Sequence, residues 1–184
     1  EALLRGMDYT EYIRDYVQQV PTLHLSIDPY PLTGYNGELK TYDAYYVGLR
    51  IPAEFTQKYH LDYWTYIQTM KGNEQRDVSL ADLRFQYYSS LAYGADKIMN
   101  YCYDCSGYDP EKSVYSDEVY CMRDYAHRYT KLYDYVQLVN QEVKTFAEPY
   151  SEYGWEHTGV HRGTGTIPGY VAAEQEYDGD LEVS

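Results

Sequence analysis

Apolar residues along this chain alternate between two spacings, one of three to four residues and one of two. Tyr9, Tyr12, Ile13, Tyr16, Val17 and Val20 recur at i, i+3, i+4 and i+7, which predicts an amphipathic helix over residues 8–20. Asp8 with Glu11 three residues later predicts a capping box, and Pro21 predicts the stop. Leu23-His-Leu-Ser-Ile27 reads as a short strand closed by a loop at Asp28-Pro29-Tyr30-Pro31, because two prolines so close together exclude regular structure. Residues 38–59 read as helical, with Pro52 predicting a kink or a new start. Tyr63-Trp-Thr-Tyr-Ile-Gln68, rich in aromatic and β-branched residues, is a second strand, and residues 70–78 are a polar loop. Ser79 and Asp82 cap a helix running from Leu80 to about Tyr93, and Gly94 is placed to end it. Lys97-Ile-Met-Asn-Tyr-Cys-Tyr103 is a third strand, followed by a long polar loop to about Asp124. Tyr129, Leu132, Tyr133, Val136, Val139, Val143, Phe146 and Ala147 share one helical face, and Pro149 is predicted to end that helix.

The predicted order is helix, strand, helix, strand, helix, strand, helix. Alternation of this kind predicts right-handed βαβ units and a parallel sheet, hence an α/β fold. Three such strands cannot close on themselves and leave an edge at each side. The start, Glu-Ala-Leu-Leu-Arg, falls in mid-pattern and reads as a cut from something longer.

Composition narrows the partners. The chain has 184 residues, 44% of them hydrophobic, so it can bury a core. Its formal net charge of −14 repels phosphate backbones and anionic lipid surfaces. Neither nucleic acid nor a membrane is therefore expected as a partner, and no apolar run approaches the ~20 residues of a membrane span. Three cysteines, Cys102, Cys105 and Cys121, make an odd count with a single C-x-x-C. That motif follows a strand and lacks a second pair, so neither a zinc site nor a redox motif is predicted from it. His157 and His161 lie in a Gly-rich stretch and are not expected to share a metal, and His24 reads as a core histidine. Twenty-seven tyrosines against three Phe and two Trp is unusual; at helix and strand spacing their ordinary role is packing.

Three segments carry a resemblance. They are Leu25-Ser-Ile-Asp-Pro-Tyr-Pro-Leu32, Tyr63-Trp-Thr-Tyr-Ile-Gln68, and Leu83-Arg-Phe-Gln-Tyr-Tyr-Ser-Ser-Leu-Ala-Tyr-Gly-Ala-Asp-Lys-Ile-Met-Asn-Tyr-Cys-Tyr103. Together they resemble the β-galactosidase-like glycoside hydrolases. The last is the most specific, and Tyr135 to Pro149, with Asn140 and Glu142, is similar to the family's closing helix. The resemblance covers about residues 8–150. It implies a partial (β/α)8 TIM barrel, strands six to eight with their helices, where a whole barrel typically needs roughly 250 residues. On this reading residues 1–150 are the C-terminal part of the barrel. Residues 151–184 are a linker and, with Tyr170-Val-Ala-Ala173 and Asp180-Leu-Glu-Val183, the start of a following β domain.

Barrels of this kind bind ligands at the C-terminal ends of their strands. That rule selects Asp28, Tyr30, Gln68, Tyr103 and Asp104 as substrate-binding candidates. Retaining hydrolysis needs two carboxyl groups about 5–5.5 Å apart. In the family these are glutamates after strands four and seven. Here strand four lies outside the chain, and strand seven ends in Gln68, whose amide cannot be a nucleophile; the nearest glutamate is Glu74. No catalytic residue is therefore assigned, with Asp28 the one candidate. Arg84 and Gln86 on the third helix read as structural partners. The expected partners are a carbohydrate substrate and the rest of the parent barrel, with no cofactor and no metal. Secretion or export to a periplasm would suit the parent. Three functions compete: a glycoside hydrolase segment forming substrate-pocket wall, a non-catalytic carbohydrate-binding relative, and a structural α/β domain. An Asn-Glu at the end of an upstream strand would favour the first, its absence the second, and an upstream sequence without βα units the third.

Overall fold

Helix caps and proline stops set the register of the chain. In the computed structural model, which describes residues 8–32, 45–72, 77–105, 119–156 and 158, the elements are α1 (Tyr9–Gln19), β1 (His24–Ile27), α2 (Tyr45–Tyr59), β2 (Asp62–Gln68), α3 (Leu80–Ala92), β3 (Lys97–Tyr101), α4 (Lys131–Lys144) and α5 (Ala147–Glu152). The Asp8 carboxylate accepts from the Glu11 amide at 2.7 Å while Glu11 accepts from the Asp8 amide at 3.2 Å, the reciprocal pair expected at the start of α1. Ser79 and Asp82 repeat that exchange at the start of α3. Gly94 ends α3 with φ of +79°, and a Cβ there would stand 2.6 Å from Trp155 Cβ, so both backbone and packing require glycine.

The strands form one parallel sheet in the order β1-β2-β3, with Leu25 beside Tyr63 and Thr65 beside Ile98. Because side chains alternate across a strand, this register sorts them cleanly. Leu25, Ile27, Tyr63, Ile67 and Ile98 all point to one side and pack into three apolar clusters with α1 to α4. Ser26, Trp64, Tyr66, Met99 and Tyr101 point to the other side, and none of them belongs to a cluster. Among the described residues the sheet is therefore helix-covered on one face only.

Three details differ from the sequence-based expectation. First, α2 runs through Pro52 with no new helix start; Leu49, Ile51, Ala53 and Phe55 around it are buried, and tertiary packing outweighs the lost hydrogen bond. Residues 38–44, expected in the same helix, lie outside the described residues. Second, α4 ends at Lys144, and Pro149 lies within α5 at its third position, in a first turn where a missing N–H costs nothing. Tyr129 precedes the Thr130 cap instead of lying on the helix. Third, β3 stops at Tyr101, before a cis Tyr101–Cys102 peptide, and residues 102–105 pair instead with 122–123 through Met122 N–H to Cys102 O and Arg123 N–H to Tyr103 O. That pairing buries Val119, Cys121 and Met122, so the described part of the expected polar loop is partly core. Beyond α5, Trp155 donates to Thr158, whose hydroxyl bonds the Ala92 carbonyl; residues 159–184, with both expected β segments, lie outside the described residues.

Many tyrosines are packed as neutral phenols. Burial pushes Tyr9, Tyr87 and Tyr150 each up to about 12. A folded-state pKa above the unfolded value stabilises the fold fully below about pH 10, and that stability is lost as pH rises toward 12. Alkaline titration followed by phenolate absorbance and circular dichroism should show these tyrosines ionising only as the fold melts, between about pH 10 and 12. Titration of every tyrosine near pH 10 with the fold intact would contradict this packing.

Candidate functional site

The C-terminal ends of the three strands converge on one open cleft of about 570 Å³, lined by Ser26, Ile27, Asp28, Tyr30, Tyr66 and Tyr101. Each strand supplies a part of it. β1 delivers Asp28 and Tyr30 just past its last residue, β2 delivers Tyr66, and β3 ends on Tyr101, whose ring centroid lies 6.1 Å from that of Tyr30. Burial raises the Tyr30 phenol well above its ordinary range, and the neighbouring Asp28 carboxylate adds to the effect. Three tyrosine side chains and one aspartate share the cleft. They offer aromatic faces, hydroxyls that donate or accept, and one strong acceptor, a set suited to an uncharged, hydroxyl-rich ligand.

The loop carrying Tyr30 is held from below by a chain of amides. Gln68 is 5% exposed, and its carboxamide accepts from the Leu32 amide at 3.2 Å and donates to the Leu32 carbonyl at 3.4 Å. Gln86, on α3, does the same for Gln68 itself: its Oε1 accepts from the Gln68 amide at 2.8 Å and its Nε2 donates to the Gln68 carbonyl at 3.4 Å. Two glutamines therefore extend the ladder sideways, from helix to strand end to loop. The Tyr30 amide also donates to the Asp28 carbonyl at 3.0 Å, so the segment is tied on both sides of the ring.

Of the five substrate-binding candidates, Asp28 and Tyr30 meet in the cleft, and Gln68 lies beneath it as a support. Tyr103 and Asp104 do not line it. Because β3 ends at Tyr101, they fall in a separate cluster, where Asp104 is 3.5 Å from Arg123 and 3.2 Å from His127 Nδ1. Arg123 lies 5.9 Å from the Tyr103 ring and 5.7 Å from that of Tyr129, and donates twice to the His127 carbonyl. Among the described residues Asp28 is the one carboxylate lining the cleft; Glu74 lies outside the described residues. Tyr66 and Tyr101 are not among the strand-end candidates because Tyr66 lies one pleat before the end of β2 at Gln68, and β3 ends at Tyr101, one pleat before the expected Tyr103. The signal was present, since both share the parity of Asp28 in the parallel register. His24 is not a core residue; it sits on the uncovered face, stacked 4.0 Å from Trp64. Arg84 makes a two-pronged pair with Glu142 of α4, at 3.0 and 2.5 Å.

No group of three His, Cys, Asp or Glu among the described residues is arranged to hold a metal ion, and no described helix is long and apolar enough to cross a membrane. No protein-family model matches the chain, and neither the curated proteins nor the solved structures contain a significant match to it.

The glutamine chain makes a stability prediction. Gln86→Met keeps the volume but removes both side-chain hydrogen bonds to the buried Gln68 backbone, so urea unfolding should show a loss of about 1–3 kcal/mol. Arg84→Met, two residues away on the exposed side of the same helix, should cost clearly less. Equal losses for the two variants would show that Gln86 is not carrying the strand end.

Proposed function

We propose that this chain forms substrate-pocket wall in a carbohydrate-active (β/α)8 barrel of the glycoside hydrolase type, contributing strands six to eight with their helices. The observation that carries the reading is the cleft at the C-terminal ends of three parallel strands, where Asp28, Tyr30, Tyr66 and Tyr101 come together. Two features support it. A barrel keeps its helices outside and turns its other sheet face inward, whereas a doubly wound sheet carries helices on both faces. Helices α1 to α4 pack on one face, and the other is lined by Trp64, Tyr66, Met99 and Tyr101. The resemblance in Leu83–Tyr103 points the same way. β1 and β3 are the edges of the described sheet, where neighbouring barrel strands would pair.

In this role Asp28 accepts hydrogen bonds from sugar hydroxyls, and the tyrosine rings cover C–H faces of the sugar. Pro29 and Pro31 limit the freedom of the loop between them, which lowers the entropy cost of holding Tyr30 in place. Hydrolysis of the glycosidic bond would use a carboxyl pair lying outside this cleft lining. A second reading is favoured by one specific observation. The position where the family has its strand-seven nucleophile holds Gln68, whose amide is already bonded to Leu32, so a barrel that binds carbohydrate without cleaving it fits the strand end.

Binding separates these readings from a purely structural role. With a panel of soluble oligosaccharides followed by calorimetry, Asp28→Asn and Tyr30→Ala should each weaken binding by at least about tenfold, roughly 1.4 kcal/mol, with circular dichroism unchanged. Wild-type affinity in both variants would remove the sugar site from this cleft. The 184-residue chain alone should turn over no aryl glycoside; turnover abolished by a single carboxylate substitution within it would overturn that expectation.

A further inference from the structure

Beside the cleft the fold gathers all three cysteines. Cys102 follows the cleft residue Tyr101 directly, and its sulfur is 3.0 Å from that of Cys121, nineteen residues later in the chain. Cys105 lies at the same place, its thiol donating to the Arg123 carbonyl at 3.1 Å. The segment 119–123 runs alongside 102–105 through the Met122 to Cys102 and Arg123 to Tyr103 hydrogen bonds, which fix the approach of Cys121. Exposure differs sharply within the group: Cys121 and Cys105 are 0% and 1% exposed, whereas Cys102 is half-buried.

From this arrangement we infer that Cys102 and Cys121 are a thiol–disulfide exchange site, in which Cys102 is the thiol that meets a low-molecular-weight disulfide and Cys121 is the one that resolves it. The Cys102 thiolate attacks one sulfur of the incoming disulfide, RSSR, and releases RS⁻, leaving a Cys102–S–S–R mixed disulfide. Cys121 then gives up its proton and attacks the Cys102 sulfur, forming the Cys102–Cys121 bond and expelling the second RS⁻. The two protein thiols are oxidised, RSSR is reduced, and the two protein protons end on two RSH. Bond formation needs the sulfurs to come only about 1 Å closer. The roles follow from access, since only Cys102 can meet a reagent from solvent. They agree with the electrostatics: hydrogen bonding to Cys121 lowers the Cys102 pKa, while the same contact and burial raise that of Cys121. Burial also raises that of Cys105, which leaves it the least suited of the C-x-x-C pair to attack.

The bond would staple the exit of β3 to the segment bearing Arg123, the residue that holds Asp104. It acts on the wall of the cleft whatever ligand the cleft takes.

The test incubates the purified chain with excess oxidised glutathione under native conditions, quenches with an alkylating agent, and maps non-reduced peptides by mass spectrometry. The expected product lacks two hydrogens, carries a Cys102–Cys121 linked peptide, and leaves Cys105 alkylated. Its thermal midpoint should exceed that of the reduced chain by about 5–12 °C, given the stabilisation typical of a loop near this length. Cys121→Ser should stop at one stable glutathione on Cys102, and Cys105→Ser should still form the link. A Cys102–Cys105 link in the folded chain, a persistent glutathione adduct on the wild type, or three free thiols after prolonged incubation would overturn the proposal.

Discussion

The cleft depends on the way the end of β2 is held. A parallel strand that stops in the middle of a sheet leaves backbone donors and acceptors that must be satisfied, and here side-chain amides take them up. Gln86 covers the Gln68 backbone, and the Gln68 side chain covers the Leu32 backbone. A carboxamide has the same donor–acceptor pair as a peptide unit, so each glutamine acts as a short stretch of extra strand. Replacing Gln68 by a glutamate would keep the acceptor for the Leu32 amide but lose the donor to the Leu32 carbonyl. In this chain Gln68 therefore acts as the support of the loop.

Consequences spread from that point. With Leu32 pinned, the Asp28–Pro31 loop lies across the sheet end and brings Tyr30 within 6.1 Å of Tyr101. With the helices packed on the opposite face through Leu25, Tyr63 and Ile67, the alternate residues Tyr66 and Tyr101 are left to face outward into the cleft. The excess of tyrosine acquires two separate meanings. Tyr45, Tyr63, Tyr87 and Tyr93 are nearly fully buried packing residues, while Tyr30, Tyr66 and Tyr101 line the cleft. Their sequence neighbourhoods are alike, and only the register of the sheet separates them.

What could be read from the chain beforehand was local. Asp8 with Glu11, Ser79 with Asp82, and Gly94 announced their helix ends because capping involves residues three or four apart. The three strands were visible from their β-branched and aromatic runs, and the strand-end rule selects Asp28 and Tyr30, which line the cleft. What could not be read depends on contacts distant in sequence. Gln86 meets Gln68 across eighteen residues, Gln68 meets Leu32 across thirty-six, and Cys102 meets Cys121 across nineteen. The end of β3 belongs to the same class: its alternation suggests continuation to Tyr103, but the competing partner at Arg123 draws residues 102–105 away from the sheet. Pro149 is ambiguous for a different reason, since proline marks the first turn of a helix as readily as the end of one, and here it lies in the first turn of α5.

The proposed function requires the strand-end tyrosines, and not those exposed elsewhere, to meet the ligand. Tyrosine footprinting by hydroxyl radicals, read by mass spectrometry with and without a soluble oligosaccharide at saturating concentration, tests it directly. Protection should appear at Tyr30, Tyr66 and Tyr101 and be absent at Tyr103, Tyr129 and Tyr153, all of which are exposed outside the cleft. Protection at the second group, or at neither, would contradict the account.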